Sequence, residues 1–110
     1  MILIVEDEPI IALDLQGILE DHGAQTITAY SLAEALVAVE SPSISAAVLD
    51  HALGDGDCSE LCRRLAARSV PFITSSGTPN LTGPCAGAIN VTKPVKPSVL
   101  VTALSTLYVK

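Results

Sequence analysis

The sequence has no Lys or Arg before Arg63 and no Asp or Glu after Glu60. Six Lys and Arg stand against twelve Asp and Glu, giving a formal net charge of −6 and an isoelectric point near 4.6. That balance excludes a nucleic-acid surface, which needs clustered cations to neutralise phosphates. Long hydrophobic runs are missing too, and none approaches the ~20 residues of a membrane helix. The apolar start, Ile2-Leu3-Ile4-Val5, is cut off by Glu6-Asp7-Glu8, so it is not a secretory signal. Cysteine is scarce: three residues without a secretory run predict reduced thiols in a cytoplasmic protein. Internal repeats and linker-like stretches are absent. What is present is apolar material, 49 % of the residues with a mean hydropathy of +0.50. This suits one globular domain over residues 1–110, long enough to bury about two-thirds of its unfolded surface.

The chain is organised around Ala46-Ala47-Val48-Leu49-Asp50, an apolar run that ends on a carboxylate. A loop with Gly54 and Gly56 follows, and Asp57 with Glu60 reads as the capping box of a helix. Such a run is a buried parallel strand, whose last residue lies at the carboxyl edge where open α/β sheets do their chemistry. Ile2 to Val5 reads the same way, with Glu6 and Asp7 at its end. Further strands are expected over Gln25–Ala29, Val70–Ser76 and Ala88–Thr92. Helices alternate with them. Pro9 opens the first, with Ile11, Leu15, Ile18, Leu19 and His22 on its inner face and Gly23 as its stop. His22 is expected to pack at the helix end, and Leu13, on the opposite side, to be exposed. Ser31 and Glu34 cap the second helix, which turns Leu32, Ala35, Leu36 and Val39 inward. The third runs from Cys58 to about Arg68 and buries Cys58, Leu61, Cys62 and Leu65. Its two cysteines read as core filler, since a metal site needs two further ligands that the spacing does not offer. Pro97 opens the last helix. The segment from Gly77 to Gly87 holds three Gly and two Pro and reads as a loop or a single turn. The alternation predicts an α/β fold, a doubly wound parallel sheet with right-handed crossovers.

Every strand of such a sheet delivers its last residue to one edge. The arrivals are Glu6, Asp7, Asp50, Ser76 and Lys93. Three carboxylates coexist there as anions only around a cation. Oxygen donors alone point to Mg²⁺, and the lack of His or Cys among them makes zinc a poor fit. One carboxylate can attack phosphorus to give an aspartyl phosphate. Lys93 as a point charge and the Ser76 hydroxyl as a donor suit the phosphoryl oxygens. Asp14, Glu20, Glu34 and Glu40 read as solvated helix faces, and Asp55 and Asp57 as loop and cap residues.

Taken in order, Ile2-Leu3-Ile4-Val5-Glu6-Asp7-Glu8, then Val48-Leu49-Asp50 with Leu53 and Gly54, then Ser76, then Lys93-Pro94, the chain resembles the receiver domain of two-component response regulators. The resemblance runs from end to end. It implies a flavodoxin-like, five-stranded sheet in the order 2-1-3-4-5, with the fourth helix short or missing here. It implies that Asp50 accepts a phosphoryl group from a histidine kinase or a histidine phosphotransfer protein. Glu6, Asp7 and Asp50 would hold Mg²⁺ together with the backbone carbonyl of Ala52. Ser76 and Lys93 would bind the phosphoryl group, and the Lys93-Pro94 bond would be cis. The module would catalyse its own phosphotransfer and autodephosphorylation without being a metabolic enzyme. It would signal to a downstream protein target by conformational switching. Ser76 is one switch residue. The other position, usually aromatic, is Asn90, a departure that bears on the usual hydroxyl–aromatic coupling. Ala52 and Thr78 stand where phosphate lifetime is tuned, and His51 reads as a rim residue or a further tuner. Partners of the family dock near the first helix, so Leu13 is an expected contact. The stretch from Ser76 to Lys93 is about a turn shorter than the family norm, and Gly77 to Gly87 is expected to be mobile until phosphorylation or binding orders it. The alternatives are a pseudo-receiver, the N-terminal receiver of a longer regulator, and a Mg²⁺-dependent phosphatase. The ending Tyr108-Val109-Lys110, without linker composition, favours a stand-alone receiver. Acceptor, acid pair and lysine are all present, and Ala52 stands where such a phosphatase carries a second Asp.

Overall fold

The computed structural model describes residues 1–50, 52–53, 56–57, 59–76, 89–92 and 97–108. Ile2–Val5 form β1 and Ala46–Asp50 form β3, and every residue of both is buried. Strands buried on both faces cannot alternate polar with apolar, which is why these two read as continuous runs. Between them come α1 (Pro9–Asp21), β2 (Thr26–Ala29) and α2 (Leu32–Ala38). After them come a short hairpin of β4 (Ala52–Leu53) and β5 (Gly56–Asp57), then α3 (Ser59–Ala67), β6 (Phe72–Ser76), β7 (Ile89–Thr92) and α4 (Pro97–Tyr108). The main sheet has five parallel strands in the spatial order β2-β1-β3-β6-β7. Numbered by strands of that sheet alone, this is the expected order 2-1-3-4-5.

The core lies in two layers. On one face of the sheet, Ala35 and Val39 of the second helical segment and Leu61, Cys62 and Leu65 of α3 pack on Leu3, Val5 and Leu49. On the other, Leu15 and Leu19 of α1 and Leu100 and Ala103 of α4 pack on Ile4, Val48 and Ile73. The alternation of side chains along each strand divides these two sets.

Local chemistry sets the helix ends. Gly23 takes φ +87°, a conformation that favours glycine. Its N–H donates to Glu20 O at 3.0 Å and that of Ala24 to Leu19 O at 3.1 Å, closing α1 as a Schellman motif. At α2, the Glu34 N–H donates to Ser31 Oγ at 3.1 Å. The Glu34 carboxylate in turn accepts the Tyr30 N–H at 2.7 Å, so the return bond reaches one residue before the cap.

Three expectations need correction. Asp57 is not a helix cap: it pairs with Ala52 in the β4–β5 hairpin, and α3 starts only at Ser59. A two-residue hairpin has no hydrophobic period to announce it. His22 is exposed, with its ring Nδ1 2.9 Å from Ile18 O; Ala12, unnamed above, is buried with Leu15 and Leu19 instead. The inner stripe of α1 is thus turned by about 50° around the helix axis, away from Ile18 and toward Ala12. Cys62 is wholly buried, as expected of core filler, but it is disulfide-bonded, so the three thiols are not all reduced. Cysteine count and lack of a secretory run argue about compartment, not about which sulfurs packing brings together. Cys58, the Gly77–Gly87 segment with its fourth helix, and the Lys93-Pro94 bond lie outside the described residues.

Candidate functional site

The parallel register builds the site. Val5 of β1 pairs with Leu49 of β3, so Glu6 and Asp50 are the next residues out on neighbouring strands. Both are buried, Glu6 to 1 % exposure and Asp50 to 5 %, and Asp7 lies further toward solvent. One carboxylate oxygen from each of Glu6, Asp7 and Asp50 lies within 4.8 Å of the others. Glu6 is held from two sides. Its N–H donates to Ala29 O at 3.1 Å, and its Oε2 accepts the Glu8 N–H at 3.2 Å. Pro9 then starts α1 with a residue that has no N–H to leave unpaired.

Two buried carboxylates with a third beside them repel one another unless a cation or a proton intervenes. Donor chemistry decides which cation fits. Three carboxylate oxygens with no nitrogen or sulfur among them suit a hard, octahedral ion such as Mg²⁺.

On the other side of β3, Asp50 pairs with Ser75 of β6. Ser76 is therefore one position further along, at the end of its strand, where it pairs with Thr92 of β7. Asn90 lies in β7 opposite Thr74, two residues back from that edge. Ala52 falls in β4, two residues beyond Asp50. Lys93, Thr78 and His51 lie outside the described residues.

Leu13 is 68 % exposed, as the wheel predicts. Sequence reading missed its neighbours. Ile10 is 85 % exposed, and both line a groove of about 540 Å³ on α1 together with Asp14, Gly17 and Asp21. The signal was available, since at 100° per residue all five fall opposite Ala12, Leu15 and Leu19. No helix among the described residues is long and apolar enough to cross a membrane.

Comparison with known proteins gives one answer. The model of the response regulator receiver domain family matches residues 2–105. No curated protein matches. Among solved structures, a CheY-like response regulator receiver domain protein from Methanospirillum hungatei is similar at 28 % identity and TM-score 0.86, over 96 % of this chain and 90 % of that one. The BeF3-activated conformation of SdrG from Pseudomonas melonis is similar at 36 % identity and TM-score 0.80, over 98 % of this chain and 95 % of that one. The receiver domain of NtrX from Brucella abortus is similar at 28 % identity and TM-score 0.84, over 96 % of each. A family model matched along nearly the whole chain, and an acid cluster at the sheet edge where such a domain carries one, make this protein a member of the response regulator receiver domain family.

Proposed function

We propose that this receiver takes a phosphoryl group on Asp50 from the phosphohistidine of a histidine kinase or phosphotransfer protein. The observation that supports this reading is the meeting of Glu6, Asp7 and Asp50 within 4.8 Å, at the ends of two adjacent central strands. In the transfer, an Asp50 oxygen bonds to phosphorus as the phosphorus–nitrogen bond of the donor breaks. The imidazole leaves with the electron pair and takes up a proton. Glu6, Asp7, Asp50 and the Ala52 carbonyl would hold Mg²⁺, which when bound offsets negative charge on the phosphoryl oxygens. Ser76 donates a hydrogen bond to one of those oxygens, and Lys93 brings a positive charge to another. Glu6 has its orientation set before any of this by the Glu8 amide, so little reorganisation is required of it.

On this reading the protein is a signalling module and not a metabolic enzyme, one that catalyses its own phosphorylation and autodephosphorylation. Its output is a shift between two conformations read by a downstream protein. Ser76 and Asn90 are the positions through which the shift passes, and Ala52 and Thr78 tune the lifetime of the phosphate. Leu13 belongs to the contact with the donor.

The test is intact mass after incubation with acetyl phosphate, with and without Mg²⁺, for the wild type and Asp50→Asn. One added phosphoryl group is expected in the wild type, absent in the variant and absent without Mg²⁺. Labelling of Asp50→Asn at the wild-type level would sink the assignment of the acceptor.

A further inference from the structure

The edge of the sheet at β2 is open and unguarded. Strand β2 has β1 as its one neighbour in the sheet and pairs with it residue for residue, without a bulge. The Ile2 N–H donates to Gln25 O at 2.8 Å and the Glu6 N–H to Ala29 O at 3.1 Å. Gln25, Ile27 and Ala29 therefore turn their backbone groups toward β1. By the alternation along a strand, Thr26 and Thr28 turn theirs outward, where no strand stands among the described residues. Exposed edges are ordinarily blunted by charge, proline or a bulge. The stretch from Ala24 to Tyr30 carries no charge and no proline, and its centre is three β-branched residues, which favour an extended chain. Ile27 is 38 % exposed although it pairs in register with Leu3, which is wholly buried.

These features select an occupant. Thr26-Ile27-Thr28 reads the same in both directions, and a twofold contact requires a surface that complements itself. An antiparallel pairing centred on Ile27 sets Thr26 against Thr28 of a second copy, and Ile27 against its own counterpart. The outward N–H and C=O groups of Thr26 and Thr28 then exchange four hydrogen bonds across the axis. The two Ile27 side chains meet between them, in the closer, non-hydrogen-bonded pair. Registers centred on Thr26 or Thr28 would need the N–H of Ala24 or Tyr30. Those already donate to Leu19 O at 3.1 Å and to the Glu34 carboxylate at 2.7 Å. The strand also brings no charge against its copy, although the chain as a whole carries −6. We propose that this protein forms a twofold dimer through β2, joining two five-stranded sheets into one of ten strands. The axis runs across the sheet, so the two carboxylate edges lie at opposite ends of the dimer. Nothing in this contact depends on what Asp50 accepts.

The experiment follows the mass of the full chain by sedimentation, from about 10 µM to about 1 mM. The wild type is expected to pass from monomer to dimer. Ile27→Lys, which sets two cations face to face across the axis, is expected to associate at least tenfold more weakly. The register is read with Ile27→Cys and Tyr30→Cys, oxidised by diamide, which takes up the two electrons and two protons of each thiol pair. Across the proposed axis the Cα atoms at position 27 would lie about 4.5 Å apart, within disulfide reach. Those at position 30 would lie about 20 Å apart along the strands. Ile27→Cys is therefore expected to give covalent dimer at least tenfold faster than Tyr30→Cys or the wild type. A wild type that stays monomeric, a dimer that folded Ile27→Lys leaves unchanged, or equal cross-linking of the two cysteine variants would each overturn the inference. Were Ile27→Lys to fail to fold, the cross-linking rates alone would decide.

Discussion

Ser69 holds φ at 57°, a left-handed conformation that an L-residue with a Cβ adopts at a cost of about 1 kcal/mol. It does so because α3 must stop there. The Ser69 N–H donates to Ala66 O at 3.0 Å and the Val70 N–H to Leu65 O at 2.9 Å, the same closing pattern that Gly23 gives α1. Ser69→Gly should therefore stabilise the protein by about 1 kcal/mol and raise its Tm by about 4 °C in a thermal melt. At the same scale, Arg68 bonds the carbonyls of Val39 and Ser41 with its guanidinium. It satisfies the end of α2 with a charge that complements the helix dipole. Arg64 adds a salt bridge to Glu40 at 2.8 Å, but both partners are solvated, so its effect on stability is small.

At the scale of elements, α2 spans only Leu32–Ala38 and depends on its cap. A helix this short has little cooperativity of its own. Ser31→Ala removes the acceptor for the Glu34 N–H and is expected to cost about 1 kcal/mol in a denaturant titration. Elements of this kind were legible in the sequence because their signals are local: Ser31 with Glu34, Pro9 at the start of α1, Gly23 after it, and the apolar runs ending at Glu6 and Asp50. The strand ends fell within two residues of their expected places, and with them came the carboxylate edge. The β4–β5 hairpin was not legible, because two-residue strands have no period, and Asp57 beside Glu60 imitates a cap at no visible cost. The exposure of His22 was hidden because a 100° spacing groups it with Ile11 and Leu15, whereas the buried line through Ala12, Leu15 and Leu19 lies about 50° to one side; Ala12 contributes so little area that the pattern of larger residues outweighed it. The groove on α1 was half legible. Leu13 announced itself as an apolar residue out of phase, whereas Gly17 matters for a side chain it lacks.

For the whole molecule, three carboxylate oxygens within 4.8 Å place a repulsive load on the folded state that the extended chain does not feel. Mg²⁺ binding only the folded state should therefore raise stability, by about 2.7 kcal/mol at a hundred times its dissociation constant. Asp50→Asn removes one of the three charges. Its melting temperature without Mg²⁺ is expected to exceed that of the wild type, and its gain on adding Mg²⁺ to be smaller, which calorimetry with and without chelator measures directly. An equal gain in both proteins would place the ion elsewhere.

The seat of Asp50 has a mechanical consequence. β3 has a neighbour on each side, β1 and β6, and side chains buried on both faces. It is clamped in every direction except outward, past its own last residue. On the proposed reading, a charge added to Asp50 falls on a strand held by a neighbour on each side and packed on both faces, and close-packed surroundings yield little. The response to that phosphoryl charge is expected beyond this enclosed strand and not within it.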